Sequence, residues 1–163
     1  MPKNLVASAL ARIEKLPKAL QNRALNFAFG RAVPFVRTTG VHYDKVSALE
    51  WRAHVPNRRR AQNHLKQVHA GAMIVLAESV AVTMMGMSLP PERLPLVKSL
   101  EAKFVRRSSG TISAVARLTE EQLHQIRTEP KGEVVIEVEI RDETGEIPAL
   151  ITVVPAWTTR KKR

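Results

Sequence analysis

The rhythm of apolar positions changes several times along the chain, and each change marks an element. Across residues 3–29, Leu5, Leu10, Ile13, Leu16 and Leu20 form a loose helical stripe that Leu25 and Phe29 continue after a break. Pro17 falls in that stretch, so it separates two short helices or opens the second. Arg31 to Gly40 reads as a connection. From Asp44 to Val55 the period shortens to two, which predicts a first strand with Leu49, Trp51, Ala53 and Val55 on its buried face. His54 then faces away as a solvated strand residue. Pro56 ends the strand, and a basic, polar loop runs on to His69.

From Ala70 to Leu89 the apolar run is almost unbroken, with Glu78 its one charge. A helix apolar on every side should be buried on every side. The run approaches the roughly 20 residues that span a membrane. A central carboxylate argues against that, because such charges cost roughly 2.5–3.5 kcal/mol on insertion scales. A buried core helix over 70–88, stopped by Pro90 and Pro91, is the expectation.

Beyond it the two-residue period returns. Leu96 to Arg107 is a second strand, Arg106 to Gly110 a turn, and Thr111 to Leu118 a third strand. Thr119 and Gln122 carry the spacing of a capping box, predicting a short helix to Thr128. Glu133 to Arg141 alternates strictly, and Thr144-Gly145 marks a hairpin into a last strand, Ile147 to Trp157, whose Pro155 suggests an edge. Strand, buried helix, then four strands is the order of an α+β fold: a five-stranded antiparallel sheet wrapped around one helix. Residues 1–33 form an N-terminal helical section of the same single domain, 1–163. Residues 158–163 are a basic tail with nothing apolar to dock, and disorder is expected there.

Composition narrows the chemistry. The 163 residues contain no cysteine, which removes thiol nucleophiles, Cys-ligated zinc and disulfides, and fits a cytoplasmic protein. No uninterrupted apolar segment of a signal peptide stands at the N-terminus. Lys and Arg number 26 against 15 acids, a formal charge of +11, which points to anionic partners. Aromatics are 4%, thin for a base-stacking surface, and the charges are dispersed, so nucleic acid ranks low. His64 and His69 are five residues apart, which is not same-face helical spacing, and no metal site is expected.

Gly71 and Glu78, seven residues apart, share a helix face with roughly 10 Å of rise between them. The free N–H groups of the first turn suit a developing oxyanion. A carboxylate among apolar neighbours needs a partner or a role.

The stretch NHLKQVHAGA, from Asn63 to Ala72, with Glu78 on the apolar helix, resembles the signature of hotdog-fold thioesterases. It resembles most the thioesterase-like hotdog family DUF4442, which typically carries an NH-L-x-x-V-H-A run. The likeness extends from about Leu20 to Trp157. Ala70 stands where the usual His-Gly-Gly has its first glycine. The resemblance implies an acyl-CoA thioesterase. Glu78 would be base or nucleophile, the N–H groups of Ala70 and Gly71 would hold the thioester oxygen, and His69 and Asn63 would orient the carbonyl or the water. Coenzyme A enters only as part of the substrate. Arg106 and Arg107, in the basic turn, with Arg58 and Lys66 beside the site loop, are the candidates for its phosphates. In resembling enzymes acid and amides come from opposite protomers, so a homodimer or tetramer is implied. A hydroxyacyl-thioester dehydratase using His69, and an acyl-CoA-binding module without turnover, are the alternatives.

Overall fold

The computed structural model describes residues 4–159. Three helices come first: α1 (Leu5–Ile13), α2 (Lys18–Ala32) and α3 (Pro34–Thr39). The break between α1 and α2 falls at Pro17, which caps α2. The stretch read as a connection is instead helical at α3. Pro34 occupies its first turn, where the missing N–H does no harm, and Gly40 closes it in the left-handed region at φ 82°. The helical section therefore runs past residue 33 to Thr39.

Two strands follow where one was expected: β1 (His42–Val46) and β2 (Glu50–Val55) form an antiparallel hairpin. The Ser47 hydroxyl folds the chain back, accepting from Glu50 N and donating to Glu50 O, both at 3.0 Å. A side-chain turn of this kind leaves no Gly or Pro in the sequence, which is why the break went unread. Trp51, Ala53 and Val55 point inward as expected.

The long helix is α4 (Ala70–Ser88), followed by β3 (Arg93–Phe104), β4 (Ile112–Arg117), α5 (Glu120–Thr128), the two-residue β5 (Gly132–Glu133), β6 (Ile136–Arg141) and β7 (Ala149–Thr159). The capping box of α5 is present, with both Thr119 and Gln122 bonds formed. All pairings are antiparallel, in the order β1-β2-β4-β6-β7-β3, with β5 beside β7. The sheet thus holds seven strands rather than five, the extra two being β1 and β5.

Pro155 is not at a sheet edge, since β7 has neighbours on both sides. It lies where β6 has ended, opposite the irregularity between Val97 and Ser99 of β3. A bulge tolerates a residue without an N–H as well as an edge does. Thr158 and Thr159 are not tail: they pair with Leu94 and Arg93 at the end of β7. Residues 160–163 lie outside the described residues.

The sheet curls around α4, which packs on β2, β4, β3, β7 and β6. One apolar cluster runs from Leu10 to Trp157 through Leu76, Ala77, Val80, Met84 and Met85, all shut off from solvent at α4. By length and composition α4 could cross a membrane, but its side chains fill this core. At its C-terminal end the Asn4 amide donates to the carbonyls of Gly86, Met87 and Leu89, at 2.6–3.0 Å, while its oxygen caps α1 through Ala7 N.

Candidate active site

The loop from Pro56 to His69 is held by its own amide side chains. Asn57 Nδ2 donates to Lys66 O at 3.1 Å, and Gln62 Nε2 donates to Asn57 Oδ1 at 3.0 Å. Lys66 turns the backbone in the left-handed region at φ 59°. Asn63 sits under that turn. Its Oδ1 accepts from Leu65 N and Gln67 N at 2.9 and 3.1 Å, so the side-chain oxygen builds the loop and only Nδ2 is left for a ligand.

His69 N–H donates to Ala61 O at 2.7 Å, which sets His69 as the N-cap of α4. Its ring accepts from Gly71 N at Nδ1, 2.9 Å. Acceptance at Nδ1 puts the proton of a neutral imidazole on Nε2. A Cβ at position 71 would lie 3.2 Å from that Nδ1, so the glycine gives the ring its close approach. The Gly71 amide, a candidate for the oxyanion, is thereby engaged. Among the described residues the Ala70 N–H has no acceptor. Ala70 N–H, His69 Nε2–H and Asn63 Nδ2 are the donors that remain, at the positive end of a long helix.

Glu78 lies two turns further along α4. It is half-buried and, among the described residues, has no hydrogen-bond or ion-pair partner. Ile74 and Val82, one turn to either side, are half-buried too, so this stripe of the core helix is less fully covered than the rest. Tyr43 is buried beside it. Its phenol is pushed above the ordinary range by burial, against the hydroxyls of Thr83 and Ser79, with the Glu78 carboxylate adding to the rise. Tyr43 lies just outside the strand that periodicity predicts from Asp44 to Val55, and no local pattern marks it.

Eight residues of helix separate Ala70 from Glu78, roughly 12 Å of rise. The two backbone positions are therefore well separated along the helix axis. The structure therefore groups Asn63, His69, Ala70 and Gly71, and leaves Glu78 apart from them.

The basic candidates disperse. Arg106 faces Asp142 and Glu146 at 3.7 and 3.6 Å. Asp142 itself is buried; hydrogen bonds from Thr144 and from the amides of Ser109, Thr144 and Glu146 outweigh its desolvation and hold its carboxyl below the ordinary range. Arg107 and Lys66 are exposed. Arg58 lines a separate pocket with His42 and His54. Among the described residues no three His, Asp or Glu side chains converge as a metal site would require.

The architecture is found in solved structures. A Pseudomonas aeruginosa protein of unknown function, described as a probable thioesterase, superposes with a TM-score of 0.75 at 27% identity, over 89% of this chain and 97% of that one. A Haemophilus influenzae thioesterase matches at 0.69 and 16% identity, over 87% and 93% of the two chains. A variant of a Staphylococcus aureus thioesterase matches at 0.66 and 15%, over 77% and 99%. No functionally curated protein matches the chain. Helix, sheet and neighbours together define a thioesterase-like hotdog protein. Residues 21–156 match DUF4442, a domain of unknown function, and the chain belongs to that family.

Proposed function

We propose that the protein is an acyl-CoA thioesterase whose site is completed by a second copy of the chain. One observation carries this reading: among the described residues Glu78 is an unpartnered carboxylate on the half-buried stripe of α4, two turns along the helix from an Ala70 amide without an acceptor. A two-fold arrangement would bring the acid of one protomer to the amide of the other. The edge strand β3 offers the surface for it. Its outer side is unpaired, and Leu94, Leu96, Val97 and Phe104 are 38–46% exposed.

In that arrangement the thioester oxygen lies against Ala70 N–H and His69 Nε2–H. Glu78 takes a proton from water as the water oxygen bonds to the carbonyl carbon. The negative charge collects on the held oxygen. Collapse of the tetrahedral intermediate breaks the carbon–sulfur bond. The thiolate leaves with the proton that Glu78 returns, giving a carboxylic acid and free thiol.

A second reading, binding of acyl-CoA without turnover, is favoured by the capture of the Gly71 amide, which leaves one donor fewer for an oxyanion.

Thiol release from a panel of acyl-CoA substrates, short, long and aromatic, separates the two. Glu78→Gln should lower kcat by on the order of 10²-fold or more, with thermal stability unchanged or slightly raised, because an unpaired charge leaves a half-buried site. Undiminished turnover in a well-folded Glu78→Gln protein would falsify the assignment.

A further inference from the structure

The β1–β2 hairpin and α2 line an open pocket of about 550 Å³ in which three elements and a loop bring basic side chains together. His42 and His54 are opposite one another in register and their rings stack, 5.4 Å between centroids and 20° between planes. Arg23 reaches the pocket from α2 and Arg58 from the loop after Pro56. The single acid lining it, Asp44, is already paired: both its oxygens lie 2.8–2.9 Å from His54 Nδ1. His42 Nε2 is buried and has no hydrogen-bond partner. Asn22 and Asn26 add to the polar lining.

We propose that this pocket binds the phosphate of a phosphorylated ligand. Two guanidinium groups can grip phosphate oxygens bidentately. The stacked imidazoles supply further donors once protonated. A neutral ligand would leave those cations facing one another, and a cation would be repelled by them. His42 lies where its neighbours disfavour its protonation. Burial lowers its pKa, and His54, Arg58 and Arg60 lower it further, with only Asp44 opposing. A dianion placed among these groups reverses the balance and favours imidazolium.

Arg58 is tied to the site loop through its neighbour Asn57, whose Nδ2 donates to Lys66 O. Two sources of phosphate are therefore open: the free anion, or the phosphorylated nucleotide end of a coenzyme A thioester. The proposal does not rest on thioester hydrolysis, because binding is read without turnover.

The test follows the histidine ring protons by NMR while the full-length protein is titrated with inorganic phosphate, adenosine 3′,5′-bisphosphate or, at matched ionic strength, chloride. His42 and His54 should shift saturably with either phosphate, and His42 should titrate at higher pH in its presence. Exposed His64 and His124 serve as internal controls. Arg58→Ala and Arg23→Ala, both at exposed positions, should each weaken binding about tenfold or more. Bisphosphate at least tenfold tighter than phosphate assigns the site to a nucleotide end; equal affinity assigns it to the free anion. Chloride shifts as large as those of phosphate, no saturable shift at all, or undiminished binding in both arginine variants would overturn the proposal.

Discussion

The two edges of the sheet are treated in opposite ways. At one edge β1 is five residues long, irregular between Tyr43 and Lys45, and charged at Asp44 and Lys45. Its outward backbone groups are also closed off. Asn26 of α2 accepts from Tyr43 N at 2.7 Å and donates to Tyr43 O at 3.1 Å, standing in for the strand that would otherwise dock there. At the other edge β3 is twelve residues long, paired only to β7, and carries exposed leucine, valine and phenylalanine. Shortness, a bulge, charges and a covering helix are the devices by which sheets refuse further strands. All four protect β1, while β3 has a register irregularity beside Val97 and the charges of Lys98, Glu101 and Lys103. The contrast leaves β3 as the less protected edge, and the half-buried stripe of Ile74, Glu78 and Val82 as the less fully covered side of the core helix.

The largest effect is expected from charging the open edge. Leu94→Lys with Leu96→Lys changes two exposed residues on one side of β3, so the fold should survive. Self-association measured by sedimentation should weaken at least about 100-fold, and thioester turnover should fall with it, since lysines facing across a two-fold repel. A double variant that remains dimeric would move the interface elsewhere.

Breaking the closed edge should matter less but act on the fold. Asn26→Leu leaves Tyr43 N–H and C=O without their partner, at a cost of about 1–3 kcal/mol in urea unfolding. It should also bring a new, concentration-dependent association through β1. If neither stability nor association changes, Asn26 is not the guard of that edge.

The smallest effect belongs to the ion-pair surface of the same hairpin. Hydrogen bonds from Arg52 and Lys45 hold the Glu50 carboxyl at about 2, down from an ordinary 4.5. A carboxyl lowered on folding contributes above its unfolded pKa and loses that contribution as pH falls through the folded one. The stability gap between wild type and Glu50→Gln should therefore be constant near neutrality and shrink from about pH 4.5 toward 2. The group is solvent-screened, so added salt should narrow the gap as well. A gap that widens on acidification would reverse the assignment.

Much of this protein is written in its periods. The almost unbroken apolar run of Ala70–Ser88 points to a helix closed in on most sides, and the two-residue alternation after it to sheet; together they indicate a sheet around a helix. The capping box at Thr119, the break at Pro17 and the inward set Trp51, Ala53 and Val55 were legible for the same reason: each depends on neighbours within a few residues. The motif from Asn63 to Ala72 pointed to the loop that caps the helix. What that loop does with its atoms was not legible. His69 takes the Gly71 amide, Asn63 Oδ1 holds its own turn, and Arg106 turns to Asp142, because hydrogen-bond partners are settled by where the folded backbone brings them. The hairpin at Ser47 was hidden because a hydroxyl makes the turn that Gly or Pro usually announces. Asn26 guarding Tyr43, and His42 stacked on His54, join residues 17 and 12 apart in sequence, and no local pattern encodes either. Local chemistry determined which elements form; only the packing of those elements decided which polar groups are satisfied, which edge is closed, and that Glu78 lies half-buried beside Tyr43 with no partner among the described residues.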